Sequence, residues 1–122
     1  MLTFHINYYV KGQLQVLVGG PLGISDKESF NFEPIRSEEE WKGFKRNVML
    51  DAENLASVIE KLPINKMDEY FVDEKYGTYY QNFQGLIEHT HYHLGQLVLI
   101  KQMVKLELDY NNNIKKIFIG MR

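Results

Sequence analysis

The chain contains no cysteine. That absence excludes disulfides, thiolate-bound zinc and a thiol nucleophile, and leaves His, Asp and Glu as the side chains able to hold a metal. Charge of one sign is also lacking. Fourteen basic residues face sixteen acidic ones, for a net charge of −2 and no Lys/Arg-rich stripe. Nucleic acid is therefore not an expected partner. No apolar run is long enough to span a bilayer, and the N-terminus lacks the order of charged, apolar and small residues that marks a secretion signal. The expectation is a soluble cytoplasmic protein with no membrane partner. At 122 residues, 44% of them hydrophobic and 13% aromatic, the chain has material for a single domain, 1–122, with a real core.

Three helices are written in the pattern. Over residues 2–18, Leu2, His5, Tyr9, Gly12 and Val16 recur at spacings of three and four, and Gly19-Gly20-Pro21 closes the run. Residues 19–36 have no helical period, and Phe30, Phe32 and Ile35 are the expected anchors of this long connection. Ser37 followed by Glu38, Glu39 and Glu40 forms a capping box that opens a helix over about 38–62. Its stripe is Trp41, Phe44, Val48, Ala52, Leu55, Ile59 and Leu62, and Pro63 stops it. A second connection, with Tyr70, Phe71 and Val72 as anchors, leads to another capping box, Thr78 with Gln81, and a helix over about 79–104. The tail 105–122 reads ambiguously. Asn111-Asn112-Asn113 is a turn signal, and strands at 105–110 and 114–119 would make a small hairpin. Three amphipathic helices leave a groove for a fourth element, whether from a partner chain, a swap or an upstream helix.

Three of the four histidines fall within EHTHYHLGQ, residues 88–96. At about 100° per residue, His89, His93, Gln96, Leu97 and Ile100 share roughly 100° of arc, the width of a buried stripe, while His91 points elsewhere. The four-residue spacing of His89 and His93 lets two imidazoles converge on one ion. The remaining histidine, His5, lies on the inward face of the first helix. Three inward imidazoles with no ligand would strand polar nitrogens, at a cost of about 1–3 kcal/mol for each one left unpaired.

The run from Gly85 to Leu97 resembles the last-helix signature of the DinB/YfiT-like superfamily: His, three residues, His, one residue, Gly-Gln, then aliphatics. The His5-Ile6-Asn7-Tyr8-Tyr9 segment followed by Gly19-Gly20 looks like that family's second helix, and Trp41 sits where these proteins often have a tryptophan at the start of the third helix. The resemblance covers residues 2 to about 104. It implies an all-α, up-down four-helix bundle, often dimeric, with a divalent metal on three histidines. Carried over position by position, the ligands are His5, His89 and His93. Gly95 permits close helix approach, and Gln96 supports the site by hydrogen bonding. Because His5 falls so near the start, the family's first helix is expected to be absent or supplied by a partner, which points to a homodimer.

The resemblance implies a metal-dependent S-transferase or hydrolase acting on a small-molecule substrate. A low-molecular-weight thiol is the cosubstrate in the first case, and water is activated in the second. Zn, Ni or Fe all suit imidazole ligands. No catalytic base stands out. Glu88 points about 100° away from His89. Of Tyr8, Tyr9 and Tyr92, Tyr9 is best placed to line a pocket because it shares the face of His5. The stretch Ser25-Asp26-Lys27-Glu28 reads as ordinary loop polarity. The rival class is a non-catalytic bundle, metal-stabilised or oligomerising, whose groove binds a partner. Metal content and a pocket at the three histidines separate the two.

Overall fold

The computed structural model describes residues 1–120 and is helical, with no strand among them. The chain divides into two compact units, residues 1–90 and residues 91–122.

In the first unit, α1 spans Leu2–Leu17 and ends in a Schellman turn. The Gly20 amide donates to the Gln15 carbonyl at 2.8 Å, and the Gly19 amide to the Val16 carbonyl at 3.1 Å. Gly19 adopts φ +94°, a left-handed conformation that glycine takes without steric cost. After one turn of 3-10 helix at Glu28–Phe30, α2 spans Glu38–Glu60. Its cap is the one expected: the Glu40 amide donates to Ser37 Oγ at 3.0 Å, and Glu40 reaches back to the neighbouring Arg36 amide at 2.7 Å. Two further 3-10 turns, Ile64–Asp68 and Glu74–Tyr76, lead into α3, Tyr79–Gly120. The second capping box closes reciprocally. The Gln81 amide donates to Thr78 Oγ1 at 3.1 Å, and the Thr78 amide to Gln81 Oε1 at 2.9 Å.

α1 packs on α2 and on the Glu28–Phe30 turn. Asn7, buried on α1, ties it to α2 by donating from Nδ2 to Asp51 Oδ2 at 2.9 Å. Gln13 ties it to α3 by donating from Nε2 to the Asn82 carbonyl at 2.9 Å. Among the described residues the buried apolar side chains are few: Val10, Leu55, Phe71 and Phe83. Phe71, Tyr79 and Phe83 form an edge-to-face aromatic cluster. Four polar residues of this unit are buried as deeply: His5, Asn7, Gln13 and Ser29. Polar groups are buried when they are hydrogen-bonded, so such a core specifies one arrangement rather than maximising apolar burial.

Some sequence expectations differ from the fold. Of the α2 stripe only Leu55 is buried, and Ala52 is exposed. Tyr70 and Val72 are exposed, while their neighbour Phe71 is the anchor. The hairpin expected at 105–119 does not form; α3 continues as helix to Gly120. Asparagine is a poor helix former, but its penalty is at most about 0.7 kcal/mol per residue. Extending an existing helix across three such residues is easier than nucleating a new element. Residues 121 and 122 of that tail lie outside the described residues.

The second unit is described through residue 120 and is the continuation of α3. His93 is buried, whereas Ile100, expected inward, is 48% exposed. No helix among the described residues is long and apolar enough to cross a membrane.

Candidate metal centre

His5 and His89 face each other from α1 and α3, with their Nε2 atoms 3.1 Å apart. His93 lies one turn beyond His89. One ligand nitrogen from each of the three residues lies within 4.8 Å of the others. The three expected ligands are thus brought together, and among the described residues they are the one group of side chains so placed.

Hydrogen bonding fixes which nitrogen of His5 carries the proton. Ser29 Oγ lies 2.6 Å from the Asp26 carbonyl, an acceptor, so the hydroxyl proton points there. The same oxygen lies 2.9 Å from His5 Nδ1 and can only accept from it. His5 is therefore the Nδ1–H tautomer, with the lone pair of Nε2 aimed at His89. His93 is held in the same sense. Its Nδ1 donates to Gln96 Oε1 at 2.6 Å, so Nε2 is the ring nitrogen with a lone pair for a ligand bond. Two of the three imidazoles thus present Nε2, each held from behind by an oxygen.

Aromatic rings fix the orientation further. Phe30 stacks on His5 with centroids 4.2 Å apart and planes 10° from parallel, although Phe30 itself is half exposed. Tyr9 meets His5 and His89 edge-on at 5.1 and 4.7 Å. Its hydroxyl donates to the Asp26 carboxylate. Burial, reinforced by that carboxylate, pushes the Tyr9 hydroxyl up to about 12. At neutral pH Tyr9 is a proton donor and cannot serve as a base.

The donor set fits a divalent cation. Two imidazole nitrogens at the usual 2.0–2.1 Å from a tetrahedral zinc stand about 3.3 Å apart, close to the His5–His89 separation. His91 is exposed and takes no part, as its place on the helix wheel required. Tyr92 is 65% exposed, and Tyr8 spends its hydroxyl on the Gly23 carbonyl. Gly95, expected to admit a close helix, has open space where a side chain would begin. Sequence reasoning missed Ser29 and Asp26. The available signal was a serine and an acid in a long loop that also carries an aromatic anchor, Phe30.

No family model, curated protein or solved structure matches the chain.

Proposed function

We propose that the chain is a metal-dependent enzyme of the DinB-like kind, with a divalent ion on His5, His89 and His93. The observation that carries this reading is the opposed pair of Nε2 atoms at 3.1 Å, one of them locked as a lone-pair donor by Ser29. A divalent cation held there supplies Lewis acidity to a thiol or a water, the chemistry of S-transfer or hydrolysis. Three neutral imidazoles leave the charge of such an ion undiminished. Zn, Ni and Fe are all compatible with this donor set. Ser29 and Gln96 hold two of the rings in the productive tautomer, Phe30 covers His5, and the Tyr9 ring packs edge-on against His89. The test is to load metal-free protein with Zn, Ni or Fe(II) and assay thiol transfer to electrophiles and hydrolysis of esters and amides. Metal-dependent turnover that disappears in His89→Ala supports the reading. Fully loaded protein with no turnover in either assay would make the ion structural.

A second reading rests on residues 91–120. From Tyr92 to Ile119 this stretch carries large apolar side chains that are 48% to 69% exposed, among them Leu94, Leu99, Met103, Leu106 and Phe118. A helix apolar on so many sides is normally covered. Each such side chain exposes on the order of 100 Å². Roughly eight of them seated against a second copy would supply the approximately 800 Å² per partner of a standard interface. The reading is therefore a homodimer through this helix, with the bundle acting as an oligomerising scaffold. Sedimentation separates the outcomes: a dimer abolished by Leu99→Glu with Met103→Glu supports it, and a monomer at micromolar concentration refutes it.

A further inference from the structure

A cavity of about 280 Å³ opens beside His89, and its walls include Tyr9, Gln13, Tyr76, Asn82 and Gly85. Among the described residues, no Asp, Glu, Lys or Arg lines it. A charged ligand would find no counter-ion there. A neutral one finds two aromatic rings and side-chain amides.

The length of this space follows from how α1 and α3 run. They are antiparallel: His5 meets His89 at one level, and Gln13 meets Asn82 at another. Eight residues of α1 and seven of α3 separate the two levels, a rise of about 10 to 12 Å. Gly85 lies between them on α3, and a side chain begun there would meet nothing within 4 Å.

The far level has an unmet need. Gln13 is 8% exposed, and its amide orientation is fixed because Nε2 donates to a carbonyl, that of Asn82. The other amide atom, Oε1, is then an acceptor. It is buried and receives no donor from the described residues. Buried acceptors are rarely left this way in a protein interior.

We propose that this cavity binds an elongated, uncharged ligand about 10 Å long, with a metal-seeking group at the histidines and an N–H donor for Gln13 at its other end. The inference rests on the metal reading above and adds the ligand class.

The test uses the full chain loaded with Co(II) and three thiols: 6-mercaptohexanamide, 6-mercaptohexanoate and 2-mercaptoacetamide. Each thiol releases its proton to solvent as sulfur takes the open position, and thiolate-to-cobalt absorption reports the dissociation constant. The long amide should bind about tenfold tighter than either the long carboxylate or the short amide, as one buried hydrogen bond allows. Gln13→Leu should erase the preference for amide over carboxylate while leaving Co(II) uptake intact. Gly85→Phe fills the open space at a position where helix propensity improves, and should weaken the long amide by about tenfold or more, again with Co(II) uptake unchanged. Normal uptake with equal affinities for the three thiols, or long-amide binding indifferent to both substitutions, overturns the ligand class and leaves the metal site standing. Failure of the unaltered chain to take up Co(II) overturns the metal reading, and this inference with it.

Discussion

His5 and His89 are 84 positions apart in sequence and 3.1 Å apart at their Nε2 atoms. A contact between two ring nitrogens works without an ion only if one of them carries a proton. Ser29 has already placed the His5 proton on Nδ1, so the His89 Nε2–H must donate across the gap. A cation bound between the two rings takes the place of that proton.

The first prediction concerns this tautomer. In metal-free protein, nitrogen NMR of the imidazole rings should show His5 protonated at Nδ1. Ser29→Ala should weaken metal binding by about 10- to 100-fold, the usual effect of removing the group behind a histidine ligand. Competition against a chromophoric chelator measures it. Unchanged affinity would mean that Ser29 serves only the loop.

Gln96→Leu should act similarly on His93, because it removes the acceptor 2.6 Å from Nδ1. A loss of about tenfold or more in affinity is expected. His91→Ala is the internal control, since His91 is exposed and outside the cluster, and its metal affinity should match that of the parent chain.

Tyr9 gives a prediction in alkali. Its hydroxyl loses the proton at about 12 in the folded chain, against 10.0 for the ordinary side chain, first because of burial and then because of Asp26. Between those values the folded state holds more protons than the unfolded one, so stability falls as pH rises through that window. Below pH 10 the contribution is fully present. Tyrosinate absorbance should show one late step, absent in Tyr9→Phe and shifted toward 10 in Asp26→Asn.

The caps should be separable from the site. Ser37→Ala and Thr78→Ala each remove a side-chain acceptor from a helix start, at a cost of about 1 kcal/mol. The denaturant midpoint should fall at unchanged slope, and metal stoichiometry should stay the same.

Much of this site was legible in the sequence, for reasons of periodicity. The placing of His89, His93 and Gln96 on one face of α3 and His91 on another follows from 3.6 residues per turn alone. The two capping boxes were legible because they are local, three residues from end to end. Ser29 was not, since its value to His5 comes from the path of a loop with no period to read. The span of α3 was also misread at Asn111–Asn113. Local preference there favours a turn, and the growing helix runs through it.

Metal content tests the central claim most directly. Elemental analysis would be done on tag-free protein purified without chelator, together with His5→Ala, His89→Ala and His93→Ala. The account predicts close to one divalent ion per chain, lost or sharply reduced in each variant. Protein that carries no metal, and takes up none of Zn, Ni or Fe when offered, would contradict it.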